Sequence, residues 1–204
     1  MFWLFRKWMT DAQLARGTLH PSELHDLLRG KTIAIVGNAR ALSHGAFGQE
    51  IDAADIVIRI NRAPCPAEIS HGMRTDWLAT SIPLQASVLN AHDPSLILWM
   101  TSKRKRLPKR FLKRGLGFYL NRKDDRSALA ARMNSAPTTG AMLIDLIAKS
   151  PAAQIDLYGF DFFSSLSLSG RRTADDVPHD FDAEALFVNG LCADDERITL
   201  HSMK

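Results

Sequence analysis

The sequence predicts an α/β fold in which a mainly parallel sheet carries helices on both faces. Short runs of β-branched and apolar residues alternate with helix-like stretches, which is typical of βαβ crossovers. The chain has 204 residues, of which 46% are hydrophobic and 24% charged, as in ordinary globular proteins. This length suffices for one sizeable core but hardly for two, and no repeat or Pro/Gly/Ser-rich linker divides it. A single domain is therefore expected.

The strands are predicted from short apolar runs and the helices from the stretches between them. In chain order the predicted strands are Thr32–Val36, Asp55–Ile60, Asp76–Thr80, Leu96–Met100, Gly117–Leu120, Ile155–Gly159 and Arg197–Leu200. The predicted helices span 40–52, 84–92, 104–113, 125–133, 139–149 and 180–191. In such sheets ligands bind at the carboxyl ends of the strands. Functional residues are therefore expected directly after each strand.

Residues 1–30 are predicted to form an N-terminal helical prelude before the main domain at 31–204. The prelude has helical segments at 11–16 and 22–29, the second capped by Ser22 after Pro21. Its first residues, Met1–Met9, are rich in aromatic side chains beside Arg6 and Lys7, so they are expected either to lie on a membrane surface or to form a short strap over the core. The apolar run is too short for a signal peptide or a membrane span, which favours a cytoplasmic protein.

The two cysteines and the charge distribution limit the kinds of site and of binding partner that are expected. Cys65 and Cys192 are far apart and suggest neither a disulfide framework nor a zinc site. Residues 101–123 hold ten of the 26 Lys and Arg and no acid, so the remaining 16 bases face 22 acids. Residues 103–114, named here the basic strip, are able to bind anionic lipid, an acidic glycan or nucleic acid, or to form a solvated helix face.

Two of the loops after strands carry small or amide residues suited to an anion. Gly37 and Asn38 end the first strand, where a backbone close to a phosphate and two amide donors are available. The glycines at 37, 45 and 48 do not fit GxGxxG, and no GxxxxGK[ST] is present, which argues against NAD or ATP. Arg59 and Asn61 share one face of the second strand by its period of two. The alternative there is that Arg59 pairs with Asp52 or Asp55 and Asn61 caps a turn.

Two later segments combine polar residues with a helix start. Thr138, Thr139 and Gly140 precede a strongly apolar helix, whose free amides and dipole favour an anion, although simple capping explains the threonines equally well. His179 and Glu184 are five apart at the start of the next helix, and a histidine there is able to act as a general base. Asp180 and Asp182 form a DxD spacing that suits Mg²⁺ or Mn²⁺, or only complement the helix dipole.

Three segments, in order along the chain, resemble the large, small and very small sialyl motifs of glycosyltransferase family 29. They are VGNARALSHGAFGQEIDAADIVIRINRAP, APTTGAMLIDLIAKSPAAQIDLYGF and HDFDAE. The chain resembles a short, bacterial-like member of that family. The resemblance covers about residues 32–187. It implies a Rossmann-like α/β/α sandwich, with 31–204 as catalytic domain, that uses a CMP-activated acidic sugar in glycan biosynthesis. It also implies inversion at the anomeric carbon and no metal or other cofactor, since the CMP-sugar is a substrate.

The same resemblance implies roles for individual residues. Gly37, Asn38 and Asn61 match positions that hold the CMP phosphate, and Thr138, Thr139 and Gly140 match the part of the small motif that meets the donor. His179 matches the proposed general base, with Glu184 and Arg59 as supporting residues. The DxD then becomes coincidental.

The sequence departs from the family pattern at two places. The cysteine pair of animal members is absent, and Ser169–Thr173 stands where a second histidine is expected, so Arg171 or Arg172 is a candidate to serve the leaving phosphate. The donor is CMP-sialic acid or CMP-Kdo, and the acceptor is a glycan or glycolipid. The basic strip suits an anionic acceptor or the inner membrane face.

Two further readings remain open from the residues alone. One is a nucleotide or nucleic-acid binding module without catalysis, although the basic region offers few aromatics for stacking, so no nucleic acid is expected. The other is a metal-dependent transferase of UDP- or GDP-sugars through Asp180 and Asp182.

Overall fold

The computed structural model describes residues 17–112, 117–162 and 180–202 and contains one seven-stranded sheet. All seven predicted strands are present, each within one or two residues of its expected bounds. They are β1 (Thr32–Val36), β2 (Ile56–Ile60), β3 (Trp77–Thr80), β4 (Leu96–Trp99), β5 (Phe118–Leu120), β6 (Gln154–Tyr158) and β7 (Ile198–Leu200). Every pairing between neighbours is parallel. The predicted α/β fold is confirmed.

Helices connect these strands. They are α1 (Pro21–Leu28), α2 (Gly48–Ala53), α3 (Glu68–His71), α4 (Ala86–His92), α5 (Lys109–Leu112), α6 (Lys123–Met133), α7 (Thr139–Ala148) and α8 (Phe181–Asp194). Short 3₁₀ helices span Arg40–His44 and Arg104–Arg106. Since parallel strands need crossovers, each connection runs back over a face of the sheet.

The order in which the chain adds strands to the sheet reverses between β1 and β6. The strand order is β5-β4-β3-β2-β1-β6-β7, so the chain builds outwards from β1 to β5 and then returns to the other side of β1. Val36 at the end of β1 is paired with Tyr158 at the end of β6. The chain therefore leaves these two neighbouring strands towards opposite sides of the sheet, and ligands of doubly wound folds bind at the carboxyl ends of such strands.

The core lies on both faces of the sheet, because successive residues of a strand point to opposite sides. On one face, Ile33 and Ile35 of β1 pack in a cluster with apolar residues of α1, α6, α7 and α8. On the other face, Ala34 and Val36 pack with the first 3₁₀ helix and α2. A further cluster joins β3, β4 and β5 to α5. The strands are apolar on both faces because both are covered.

Four local features differ from the sequence predictions. The helix expected over 104–113 is broken into the 3₁₀ helix Arg104–Arg106 and α5, with Leu107 extended between them. The helix expected over 40–52 is split, since Gly45 is extended and Phe47 starts α2 anew. His20, rather than Ser22, caps α1: its side chain accepts from the Ser22 amide while Glu23 accepts from the His20 amide. Helix α3 was not predicted. The helix expected at 11–16 lies outside the described residues.

The structure also describes the two cysteines and the length of the helices. Cys65 and Cys192 are both free thiols. Among the helices in the described ranges, none is both long and apolar enough to cross a bilayer.

Candidate functional site

The loops after β1 and β6 interlock at the switch point. The Gly37 amide donates to the Tyr158 carbonyl at 2.7 Å, and the Ala39 amide donates to the Gly159 carbonyl at 3.2 Å. Gly159 has φ of +71°. A Cβ atom on Gly37 would lie 2.3 Å from the Gly159 carbonyl oxygen, closer than any real side chain tolerates. Glycine is therefore required at 37 by the approach of two backbones.

Asn38 and Asn61 meet at the carboxyl ends of β1 and β2. The Asn38 amide Nδ2 donates to the Ile60 carbonyl at 3.2 Å. Asn61 adopts a left-handed conformation with φ of 56°, and its Oδ1 accepts from the Ser81 amide at 3.3 Å. Within the described part of the chain its Nδ2 donates no hydrogen bond, so this group is available to an anion. Asn61 thus ties the ends of β2 and β3 together while keeping a free donor.

Helix α7 begins beside these loops. Thr138 is its N-cap and accepts from the Ala141 amide at 3.1 Å. Thr139 donates from Oγ1 to the Ser81 hydroxyl at 2.8 Å. A Cβ on Gly140 would meet the Phe160 ring at 2.9 Å. The amino terminus of α7 is held against the loops after β3 and β6, and its remaining free amides favour negative charge.

Glu184 joins α8 to the same helix start. Its Oε1 accepts from the Thr138 hydroxyl at 2.9 Å, while Oε2 is buried with no hydrogen-bond partner. Burial raises the pKa of Glu184 to about 7, and the hydrogen bond from Thr138 opposes that rise. A carboxyl with this pKa changes its charge near neutral pH. The amino termini of α7 and α8 therefore share one titratable contact.

Arg59 lies below this edge rather than in it. Its guanidinium is buried and donates from Nε to the Arg74 carbonyl at 2.8 Å and from Nη2 to the His71 carbonyl at 2.7 Å. These acceptors precede β3, towards the amino end of the sheet. The alternative of a pair with Asp52 or Asp55 is wrong, because the guanidinium donates to these two carbonyls and to the Thr75 hydroxyl, at 3.1 Å, and in the described structure forms no ion pair with either aspartate. Arg59 fixes the segment that leads into β3.

Three predicted residues, His179, Arg171 and Arg172, lie outside the described residues. Asp180, of the DxD spacing, is the N-cap of α8 and accepts from the Ala183 amide at 2.9 Å. Across 17–112, 117–162 and 180–202, no group of three or more His, Cys, Asp or Glu residues is placed to hold a metal ion.

Two residues of the site were missed by the sequence analysis. Ser81 accepts from Thr139 through its hydroxyl and donates its amide to Asn61. The Phe160 ring packs between Gly37 and Gly140, within 3.3 Å and 2.9 Å of the Cβ that each glycine lacks. Each follows a predicted strand by one residue, and that position was the available signal.

The amino-terminal part of the chain is similar to a known family of enzymes. Residues 12–93 match the family model described as glycosyltransferase family 29 (sialyltransferase). The predicted resemblance to that family is confirmed. The predicted enzyme class, a sialyltransferase-like glycosyltransferase that uses a CMP-sugar, is confirmed at the level of this family. The match contains Asn38 and Asn61 and ends before Thr138, and the roles of all the site residues remain predictions.

Solved sialyltransferases share the fold. A mammalian sialyltransferase in complex with Gal-β-1-3GalNAc-ortho-nitrophenol superposes with a TM-score of 0.68 at 18% identity, covering 98% of this chain and 84% of that chain. CST-II in complex with a trisaccharide acceptor and CMP gives 0.52 at 16% identity, covering 84% of this chain and 80% of that chain. CstII comes from Campylobacter jejuni. No curated protein matches the sequence.

Proposed function

We propose that the protein transfers an acidic sugar, sialic acid or Kdo, from its CMP donor to a hydroxyl of a glycan or glycolipid, with inversion and without a metal. One observation carries the proposal. Residues from separate motifs, Asn38, Asn61, Thr138 to Gly140 and Glu184, converge on one edge of the sheet at its switch point. One structure of similar fold contains CMP and a trisaccharide acceptor, and another contains Gal-β-1-3GalNAc-ortho-nitrophenol, which supports such a donor and acceptor.

The donor phosphate lies over the loop at Gly37 in this proposal. The side-chain amides of Asn38 and Asn61 and the free amides of α7 point donors at the charge that develops as CMP departs. Donors that are fixed before the reaction stabilise such charge without reorganisation. Arg171 and Arg172 are candidates for a further contact to the leaving phosphate.

His179 takes the proton of the acceptor hydroxyl as it attacks the anomeric carbon opposite CMP. It directly precedes Asp180, the N-cap of α8, and α8 is tied to α7 through Glu184. General-base assistance is typically worth about 10² to 10⁴-fold in rate. In His179→Gln we therefore expect turnover to fall by about that factor while CMP affinity changes little.

The basic strip supplies a surface for an anionic acceptor or the inner membrane face. It begins at Lys103, four residues after the end of β4, so its first residues lie towards the same edge of the sheet as the candidate site. Neutralising Lys103–Arg106 is expected to weaken binding to vesicles that contain phosphatidylserine, and to weaken transfer to an anionic acceptor. Unchanged binding and transfer would count against this part of the proposal.

The decisive experiment is calorimetric titration of the full chain with CMP and CMP-sialic acid, with CMP-Kdo and UDP as comparators. We expect binding that is selective for cytidine in EDTA and unchanged by Mg²⁺. Asn38→Ala should weaken it by at least about tenfold, the usual cost of a hydrogen bond to a charged group. Asn90→Ala, at an exposed position of α4, is the matched control and should bind as wild type.

Other outcomes point to the alternatives. Binding of UDP or GDP-sugars only with Mg²⁺ would favour a metal-dependent transferase through Asp180 and Asp182. Binding of nucleotide or RNA without any transfer would favour a binding module. Either result would refute the proposed reaction.

A further inference from the structure

A second pocket lies on the sheet face that carries α1, α6 and α7. Its volume is about 200 Å³, and its lining includes Leu24, Tyr119, Asn121, Leu129 and Met142. This is small beside drug-sized sites of about 300–1,000 Å³, and suits a group the size of one sugar ring. Its lining contains no residue of the loops after β1 and β6.

The floor of the pocket combines apolar side chains with one unused polar group. Leu24 and Leu129 are almost completely buried, and Tyr119 is 2% exposed. Over the described ranges the Tyr119 hydroxyl forms no hydrogen bond, although it borders the pocket. The Asn121 amide is already used, since its Nδ2 donates to the Met100 carbonyl at 3.2 Å. Because Tyr119 lines the pocket, a ligand or water in the pocket is able to form a hydrogen bond with this hydroxyl.

The rim of the pocket has an excess of positive charge. Arg122 and Arg126 lie one turn apart at the start of α6, and in the described structure neither guanidinium forms a hydrogen bond or an ion pair. The buried carboxylate of Asp145 already pairs with both Lys149, at 2.7 Å, and Arg132. Asp125 is also on the rim and forms no ion pair with either arginine. The two free guanidinium groups favour an anion.

One end of the pocket lies towards the carboxyl edge of the sheet. Arg122 follows β5 by two residues, at the carboxyl end of the sheet, and Met142 is one turn along α7 from Thr139. Arg104 of the basic strip donates from Nη2 to the Asn121 carbonyl at 3.3 Å, which places this strip against the rim. An anionic chain that enters along the basic strip therefore meets this pocket at the same edge as the donor site.

We propose that this pocket binds one sugar-sized organic anion, an acidic residue of the acceptor glycan that is not itself the reacting residue. Arg122 and Arg126 hold its carboxylate or phosphate, Tyr119 hydrogen-bonds a ring hydroxyl, and the apolar floor covers one face of the ring. The assignment of this anion to the acceptor rests on the proposed function, whereas the binding of an anion does not.

The test is ligand-observed NMR on the full chain at low salt. The probes are N-acetylneuraminic acid, glucose 6-phosphate, glucose and inorganic phosphate, so that carboxylate and phosphate sources are distinguished. We expect at least one acidic sugar to bind at least tenfold more tightly than glucose or phosphate. Arg122→Gln and Arg126→Gln should each weaken it by about tenfold, as expected for loss of a charge-assisted hydrogen bond. Tyr119→Phe should weaken it severalfold.

Two controls locate the binding. Arg29→Gln removes the same charge from an exposed arginine paired with Asp26 on the surface, and should bind as wild type. Asn38→Ala should bind the acidic sugar normally, because the pocket is distinct from the donor site. Equal binding of glucose, or no loss in the arginine variants, would overturn the pocket. Binding of the acidic sugar by a protein that shows no affinity for CMP would keep the pocket and refute only its link to the acceptor.

Discussion

At the scale of single residues, Glu184 is a buried carboxyl group of the candidate site whose pKa is raised. It is 5% exposed, and one of its oxygens has no partner. Burial raises its pKa from 4.5 to about 7. The folded state therefore binds this proton more tightly than the unfolded chain, so the contribution of Glu184 to stability is complete below pH 4.5 and is lost as the pH rises to about 7.

Glu184→Gln should remove that pH dependence. The amide stays neutral and keeps an oxygen that accepts from Thr138. As the pH rises from 5 to 8, we expect the free energy of unfolding of the variant, relative to that of wild type, to increase by on the order of 3 kcal/mol. Urea unfolding at both pH values measures it. Glu196→Gln, at an exposed glutamate, is the control and should show no such gain. A difference between wild type and Glu184→Gln that does not vary with pH would contradict the raised pKa.

Gly37→Ala tests the close approach of the two loops. Its Cβ would collide with the Gly159 carbonyl, which is backbone and has little room to move. We expect a loss of about 1–3 kcal/mol in the free energy of unfolding, together with weaker CMP binding. Gly190→Ala is the matched control: nothing lies within 4 Å of its Cβ, and it sits in α8. Since alanine favours helices, that control should be neutral or stabilising by up to about 1 kcal/mol. An equal effect of both changes would argue against the collision.

At the scale of elements, the site depends on where α7 and α8 begin. Thr138 caps α7 and at the same time donates to Glu184 at the start of α8. Ser81 anchors the same turn to the end of β3 through Thr139. The Thr138 hydroxyl therefore couples the two helix termini to each other, and the Thr139 hydroxyl couples α7 to the sheet.

Thr138→Ala should lower the free energy of unfolding by about 1–2 kcal/mol, since it removes a helix cap. It should also raise the pKa of Glu184 further, because the hydrogen bond that opposes burial is lost. Denaturant unfolding at pH 5 and pH 8 separates the two effects. Thr138→Ser keeps the hydroxyl and should retain most of the stability. If serine and alanine behave alike, the hydroxyl is not the stabilising group.

The strands could be predicted from the sequence more accurately than the starts of the helices. Runs such as Thr32–Val36 are apolar on both faces, which few structures other than a buried parallel strand accommodate. The cap of α1 was misassigned because Pro21 occupies the first helical position, which moves the cap to His20. The helix over 40–52 was predicted as continuous because its composition is helical, whereas backbone packing at Gly45 and Phe47 interrupts it.

At the scale of the whole molecule, the order of strands decides which loops meet. β1 is hydrogen-bonded on both sides, to β2 and to β6, and is buried on both faces. β5 and β7 are edge strands of three residues each. The centre of the sheet therefore combines the deepest burial with the most complete hydrogen bonding.

Amide hydrogen exchange should report this difference between the central strands and the edge strands. We expect the amides of Ile33 to Val36 and of Ile155 to Tyr158 to exchange only by global unfolding, and those of β7 to exchange through local opening with a smaller free energy. Mass spectrometry of peptic fragments over a series of times measures it, and β4, an interior strand, serves as the internal comparison. Equal protection of β7 and β1 would show that the sheet opens only as one unit.

The sequence by itself determined the fold class, the seven strands, the family resemblance and the residues Gly37, Asn38, Asn61 and Thr138 to Gly140 as candidates. It did so because buried parallel strands are apolar throughout, and because small and amide residues after them stand out by composition. Only the tertiary structure decided that Ser81 and Phe160 complete the site, that Arg59 points away from it, and that Tyr119 shares a second pocket with Arg122 and Arg126. Those facts depend on which loops and side chains meet across long separations in sequence, and no local pattern encodes such contacts.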